Sequence, residues 1–300
     1  MNYYELPPEL NHFHTLLVDV THRCNMECAN CYIPNRSIPD MDVSKLYEFL
    51  KKLPQRTDIR LIGAEATVRN DLLEIITNVR DIGHHPALLT NGLRLASSKY
   101  VTQLKKSGLR SLGLSMNGAD NDDWYYKLDN GPYAKSKVKA LYNCFNEKLI
   151  VHTNTIIVKN VNENVIKRQI DLLIDTAKKT GHIFKKSYPI MARFKSVGQI
   201  GRYMKCDAMN LNNLVELFST QMNVDRKKIL SYNKIDGHIE CNSILFPYPT
   251  DVGNLLIKIT DWTVDDDGIP DAGSKRRGRV TQDFKCAPFF EHVKLNEFGY

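Results

Sequence analysis

A chain of 300 residues, 42% hydrophobic and 25% charged, is long enough for one large α/β domain with a small appendage, and its composition excludes global disorder. The net charge of +7 allows an anionic substrate but does not require a nucleic acid. Since no apolar run approaches the roughly 20 residues of a membrane span and the acidic start is unlike a signal peptide, we expect a cytoplasmic protein without a membrane partner.

Strand and helix patterns alternate along the chain. Short apolar runs predict strands at 14–20, 59–64, 86–92, 109–116, 149–158 and 187–194. Amphipathic helices are predicted between them and after the last, starting near residues 42, 70, 97, 132, 162 and 210. Six strand–helix units in series predict an α/β fold, a partial (β/α)6 TIM-like barrel, with its chemistry at the carboxyl ends of the strands.

The pattern changes after about residue 232. One further strand is predicted at 255–262, and a polar, glycine-containing loop follows at 263–279. We therefore expect a barrel domain at 1–232 and a small C-terminal cap at 233–300 that has no core of its own.

Three of the seven cysteines, Cys24, Cys28 and Cys31, lie close together after the first predicted strand. An odd number without a secretion signal argues against a disulfide framework. Thiolates suit iron–sulfur clusters and zinc. Three such residues can ligate three irons of a four-iron cluster and leave the fourth open to a small molecule. The alternative is a structural zinc site, which needs a fourth ligand, and the nearest is His22.

The segment CNMECANC resembles the CxxxCxxC signature of the radical SAM superfamily, and the resemblance extends over about residues 16–202, including features of the molybdenum-cofactor cyclases. It implies a [4Fe-4S] cluster whose open iron binds S-adenosylmethionine (SAM). It also implies reductive cleavage of SAM to a 5′-deoxyadenosyl radical, which abstracts hydrogen from a substrate. An external one-electron reductant such as flavodoxin or ferredoxin is expected as a partner.

The resemblance further implies SAM contacts at the strand ends. Gly63 and Glu65 lie in a segment similar to the family's Gly-Gly-Glu-Pro motif, with alanines at the second and fourth positions. A carboxylate at residue 65 suits the SAM amino group, and the alternative is a solvated loop carboxylate. The other SAM contacts that the resemblance implies are Asn30, Ser115, Asn117, Asn154 and Arg193. The alternatives are a backbone partner for Asn154 and a salt bridge across the barrel bottom for Arg193.

Two residues are candidates for binding substrate. Arg69 stands where the cyclases use an arginine to hold an anionic substrate, and its alternative is an exposed charge near a helix start. Thr90 closes the third predicted strand, which favours a place in the pocket. A basic run at Lys275, Arg276, Arg277 and Arg279 suits either anion binding over the barrel mouth or a solvated loop.

The remaining cysteines are scattered. Cys144 is expected in the core of a helix, and Cys286 is our candidate for a catalytic pocket thiol that donates hydrogen to a substrate radical. The alternative for Cys206, Cys241 and Cys286 is an auxiliary cluster.

Together these features predict a radical SAM enzyme that abstracts hydrogen from an anionic small molecule, such as a nucleotide or nucleoside derivative. Radical modification of a peptide or protein side chain is an alternative. A second alternative, from another class, is a non-catalytic metal-stabilised binding protein. We do not expect nucleic-acid binding, because the basic run has no interleaved aromatic residues.

Overall fold

The computed structural model describes residues 4–29, 31, 33, 35–187, 189–197, 209–235, 243–261 and 277–288. The described strands are β1 (Thr15–Thr21), β2 (Asp58–Gly63), β3 (His85–Thr90), β4 (Ser111–Ser115), β5 (Ile150–Ile157), β6 (Met191–Ser196), β7 (Ser243–Thr250), β8 (Gly253–Thr260), β9 (Arg277–Val280) and β10 (Cys286–Pro288). The described helices are α1 (Val43–Lys51), α2 (Leu72–Ile82), α3 (Ser98–Ser107), α4 (Asp122–Asp129), α5 (Ala134–Asn146), α6 (Val165–Thr180), α7 (Leu211–Met222) and α8 (Arg226–Ile235).

These strands form one sheet in the order β10-β9-β1-β2-β3-β4-β5-β6-β8-β7. Strands β1 to β6 follow chain order and pair in parallel, with helices in every connection. This arrangement confirms the predicted α/β fold of six parallel units. None of the described helices combines the length and the apolar composition that a membrane span requires.

The strands that follow residue 232 extend this sheet at both of its edges. Strand β8 pairs in parallel with β6 and carries β7 on its outer side, while β9 pairs in parallel with β1 and carries β10. Their apolar side chains, including Ile257 and Cys286, belong to the main hydrophobic core. The domain boundary at 232 stays a prediction, but the described strands on its two sides share one sheet and one core.

Local chemistry sets several helix ends. The side chain of Asp42 accepts hydrogen bonds from the backbone N–H groups of Ser44 and Lys45, so α1 begins at Val43. Helix α2 ends at Gly83, whose φ of +112° is a left-handed conformation that glycine adopts without a steric penalty. The start of α1 agrees with the helix start predicted near residue 42.

Helix α4 is not predicted by the sequence pattern, which places the next helix only from residue 132. Asn121 caps its first turn by accepting from the N–H of Asp123. The helix buries Tyr125 and Leu128, too few apolar positions to show a period in eight residues. Its position matters, because its carboxyl end contacts the cysteine loop.

The parallel strands present different residues to their two faces. In β5, Val151 and Ile157 are fully buried in the core beneath the helices, whereas His152 and Asn154 point to the opposite face and are partly buried. We call this second face, which also carries Arg193, the inner face of the sheet.

Candidate functional site

The three clustered cysteines lie in the loop that follows β1, at the carboxyl edge of the parallel strands. All three are free and partly exposed. The N–H of Met26 donates to Cys24 Sγ at 3.4 Å, and the guanidinium of Arg36 donates to Cys31 Sγ at 3.1 Å. Donors directed at sulfur stabilise thiolates and tune iron–sulfur clusters. This set of three thiols on one loop therefore fits a cluster with three cysteine ligands.

Among the described residues, no group of three or more His, Cys, Asp or Glu side chains is arranged to hold a metal ion. In a four-iron cluster each cysteine binds a different iron, so the sulfurs do not need to converge on one point. His22, the nearest candidate for a fourth zinc ligand, is buried, and its burial lowers the pKa of the imidazole.

The carboxyl end of α4 holds the middle of the cysteine loop. The backbone N–H of Ala29 donates to Leu128 O at 2.9 Å, and Asn130 Nδ2 donates to Glu27 O at 2.5 Å. These bonds join segments that are far apart in the sequence, so the loop depends on the tertiary fold for its shape.

Cys28 lies beside two charged residues of this region. Burial raises the pKa of its thiol, and the charge of Asp129 raises it further, whereas the charge of Lys137 lowers it.

Glu65 is the centre of a hydrogen-bonded network at the ends of β2 and β3. Its side chain is 1% exposed, so the alternative of a solvated loop carboxylate is wrong. Oε1 accepts from the N–H and hydroxyl of Thr67, at 3.0 and 2.6 Å, and from the hydroxyl of Thr90 at 2.7 Å. Among the described residues, Oε2 accepts from the N–H of Asn91 alone, at 2.6 Å, and so retains acceptor capacity.

Asn91 connects this network to the cysteines. Its side-chain amide donates to Asn25 Oδ1 at 2.8 Å and lies 3.9 Å from Cys24 Sγ. The sequence pattern indicates only a turn at this residue, although its place directly after the third strand could have marked it. Thr90 uses its hydroxyl to hold Glu65 in place, and its predicted contact with substrate stays a prediction.

Gly63 has a structural reason to be glycine. Its φ is +148°, and a Cβ would lie 2.1 Å from Thr21 O. The close approach that the structure shows is therefore between the ends of β2 and β1, and the predicted approach to SAM stays a prediction.

Arg69 is buried, so the alternative of an exposed charge is wrong. Its guanidinium makes a two-bond pair with the Asp71 carboxylate, at 2.8 and 2.6 Å. Nη1 donates to Val20 O and Met41 O, at 2.7 and 3.0 Å. Four N–H donors are thus committed to the protein, which removes the support for a substrate-binding role.

The end of β4 forms a second network. Asn117 is buried, donates to Asp129 Oδ1 at 2.9 Å and accepts from the N–H of Ile156 at 3.0 Å. The carbonyl of Ser115 accepts from Lys137 Nζ at 2.9 Å. The two predicted SAM contacts at the end of this strand, Ser115 and Asn117, therefore bond to Lys137 and Asp129, the charged residues beside Cys28.

Asn154 and Arg193 meet on the inner face, in register on β5 and β6. Asn154 Nδ2 donates to the backbone carbonyl of His152 at 3.2 Å, as its alternative predicted. Arg193 contacts Met191 Sδ and His152 Nδ1, at 3.0 and 3.2 Å, with no salt bridge to a described carboxylate. The predicted salt-bridge alternative for Arg193 is therefore wrong within the described part of the chain.

Two further predictions are corrected. Cys286 lies in β10 with no exposed surface, and burial raises its pKa to about 12, so it is a core residue rather than a pocket thiol. Arg277 and Arg279 belong to β9 rather than to a loop, and Arg279 is buried and pairs with Asp19. Cys144 is buried in the core, as predicted.

Five predicted residues lie outside the described residues: Asn30, Lys275, Arg276, Cys206 and Cys241.

Comparison with known proteins gives a family match and several similar proteins. The sequence profile of the Radical SAM superfamily matches residues 18–173. The 7,8-dihydro-6-hydroxymethylpterin dimethyltransferase of Methanocaldococcus jannaschii is 34% identical over 161 residues, which cover 50% of this chain and 31% of that protein. The GTP 3',8-cyclase of Clostridium perfringens is 25% identical over 228 residues, which cover 73% and 64%. The chain thus spans less than two thirds of the length of these relatives.

Solved structures show the same fold. Streptococcus suis SuiB superposes with a TM-score of 0.61 at 13% identity, over 96% of this chain and 62% of SuiB. SuiB bound to its precursor peptide SuiA gives 0.56 at 16% identity, over 72% and 48%. The likeness confirms the predicted partial barrel.

Proposed function

This chain belongs to the radical SAM superfamily, and on that premise we propose that it abstracts a hydrogen atom from an anionic small molecule. Members of the superfamily are enzymes that use a [4Fe-4S] cluster and SAM. We assign the cluster to Cys24, Cys28 and Cys31. Membership in a superfamily of enzymes also favours catalysis over a non-catalytic binding protein.

The protein's own residues position these cofactors. When bound, the cluster and SAM supply the 5′-deoxyadenosyl radical, with an electron from an external donor such as flavodoxin or ferredoxin. Glu65 Oε2 has acceptor capacity for the SAM amino group, and Thr90 holds that carboxylate in place. Ser115, Asn117, Asn154 and Arg193 remain the further proposed contacts of SAM.

The observation that carries the substrate class is the charge of the inner face. By strand register, six cationic side chains and two carboxylates of the described strands point to it. The cations are Arg60, Arg193, Lys195, Lys258, Arg277 and Arg279, and the carboxylates are Asp19 and Asp58. A partly enclosed surface of one sign concentrates ligands of the opposite sign.

The electrostatics of Arg193 show the effect of this crowding. Burial, followed by the charges of Arg60 and Arg277, lowers the pKa of its guanidinium to about 9. Burial and the neighbouring cations make the charged form of this guanidinium unfavourable, and a bound anion would offset that. The inner face therefore favours substrates with phosphate or carboxylate groups.

One relative favours a nucleotide as the member of that class, because it is named a GTP 3',8-cyclase and its match covers 73% of this chain. The other, whose match covers 50% of this chain, is named for a pterin, a fused nitrogen heterocycle without a phosphate or carboxylate group, and supports only the heterocyclic part of the proposal. A peptide substrate remains the alternative, but the likeness to SuiB is one of fold and adds no support for it.

The test uses the reconstituted protein, reduced without oxygen, together with SAM and ribose-deuterated nucleoside triphosphates. We expect 5′-deoxyadenosine that carries deuterium. Lys195→Met, at the carboxyl end of β6 on the inner face and not a proposed SAM contact, should raise the KM for the triphosphate about tenfold, whereas Arg110→Met, an exposed arginine, should leave it unchanged. Deuterium transfer from peptides alone would overturn the substrate class. No cleavage of SAM by a protein with full iron content would overturn the reaction.

A further inference from the structure

A buried ion pair lies beside the cysteine loop and has no role in the function proposed above. Lys137 on α5 is 0% exposed, and Asp129 at the end of α4 is 1% exposed. Lys137 Nζ and Asp129 Oδ2 are 3.8 Å apart. Fully buried lysines are rare, and a buried pair is weak evidence for stability because desolvation offsets the attraction.

Both partners are tied to the end of β4. Lys137 Nζ donates to Ser115 O at 2.9 Å and lies 5.3 Å from the centre of the Tyr125 ring. Asp129 Oδ1 accepts from Asn117 Nδ2 at 2.9 Å. Asp129 Oδ2 has no hydrogen-bond partner among the described residues. A buried acceptor without a donor is destabilising, so the pair is not explained by folding stability alone.

The pair lies beside Cys28, one of the three proposed cluster ligands. The backbone N–H of Ala29 donates to Leu128 O at 2.9 Å, and Asn130 Nδ2 donates to Glu27 O at 2.5 Å. The residues on either side of Cys28 are therefore bonded to the residues on either side of Asp129, which keeps the loop next to the ion pair. Fixed charges in a low-dielectric interior shift the reduction potential of a nearby iron–sulfur cluster.

We propose that Asp129 and Lys137 are positioning residues that set the reduction potential of the cluster held by Cys28. The inference rests on the proposed assignment of the cluster ligands. Reduction adds an electron to the cluster, so the carboxylate of Asp129 disfavours it. The ammonium group of Lys137 offsets that effect. Neither side chain touches substrate, and each acts through the charge it holds next to the cluster.

The test is an anaerobic redox titration of the reconstituted protein, followed by electron paramagnetic resonance, with iron counted per chain. At a fixed potential, Lys137→Met should lower the ratio of reduced to oxidised cluster about tenfold, and Asp129→Asn should raise it by a similar factor. The double variant should return close to the parent value. Lys139→Met, on the exposed side of the same helix, should cause no shift.

Equal potentials in the Lys137, Asp129 and Lys139 variants at full iron content would overturn this inference and leave the proposed function intact. If Lys137→Met fails to fold, Asp129→Asn decides the matter, since it keeps the shape of the side chain. A parent protein that assembles no cluster would overturn the ligand assignment and this inference together. Shifted potentials in a protein that never cleaves SAM would overturn the proposed function alone.

Discussion

The hydroxyl of Thr90 donates a hydrogen bond of 2.7 Å to the carboxylate of Glu65 and so joins the ends of β3 and β2. The same hydroxyl accepts from the N–H of Gly92 at 3.0 Å, which directs its proton towards the carboxylate. Since the N–H of Asn91 donates to the other carboxylate oxygen, the orientation of Glu65 is set by the end of the neighbouring strand.

Thr90→Val should weaken the binding of SAM while the cluster stays in place. Valine keeps the shape of threonine but removes one of the four donors that orient Glu65, so the dissociation constant should rise about fivefold, for a hydrogen bond of ~1 kcal/mol. Calorimetric titration of the reconstituted protein measures this. Thr102→Val is the matched control, because Thr102 donates to the Glu147 carboxylate in another part of the fold. Equal SAM affinity in the two variants would contradict the prediction.

Cys28→Ala should abolish assembly of the four-iron cluster while the barrel stays folded, because the side chain belongs to a loop outside the core. Iron content, the absorption spectrum and circular dichroism report the two effects. Cys144→Ala, a change in the core, should keep the iron and lower the free energy of unfolding by about 1 kcal/mol. A four-iron spectrum retained by the Cys28 variant would refute its assignment as a ligand.

Arg69→Met should destabilise the fold, because it leaves Asp71 and two buried carbonyl groups without their donor. We expect the free energy of unfolding to fall by about 2–3 kcal/mol in urea denaturation. Arg80→Met, which breaks an exposed pair with Asp81, should change it by less than about 0.5 kcal/mol. If Arg69→Met leaves the free energy of unfolding unchanged but abolishes substrate binding, the substrate-binding role predicted from the sequence would be supported instead.

His152 should make the fold sensitive to acid. Burial, then the charges of Arg193 and Arg60, lowers its pKa from 6.5 to about 3. Between these values the unfolded chain binds a proton that the folded protein does not. With respect to His152, the free energy of unfolding is therefore highest above pH 6.5, and it falls as the pH drops towards 3.

His152→Gln should reduce the loss of stability on acidification by up to about 1.4 kcal/mol per pH unit in this window. Urea denaturation at a series of pH values gives the slope. The exposed His85→Gln should behave as the parent protein. A slope unchanged by His152→Gln would show that another group is responsible.

Features that depend on neighbours in the sequence are predictable from it. Asp42 caps its own helix, and Gly83 ends the next one, because both act on backbone groups a few residues away. The six parallel strands follow from apolar runs, and the three cysteines are recognisable by their spacing.

Long-range partners explain the sequence-based predictions that failed. Arg69 pairs across to Val20 and Met41, and Cys286 packs into the core because β10 joins the sheet beside β9. Neither contact has a local signal, since the partners are brought together only when the sheet forms.

The sequence by itself determined the parallel α/β fold, the superfamily and the three thiols, because strand periodicity and motif spacing are local properties. Only the tertiary structure decided which charges surround those thiols. No local sequence feature distinguishes Lys137 or Asp129. Packing of α4 and α5 against β4 buries both residues beside Cys28. Burial and proximity are properties of the folded chain, and they decide how strongly a charge acts.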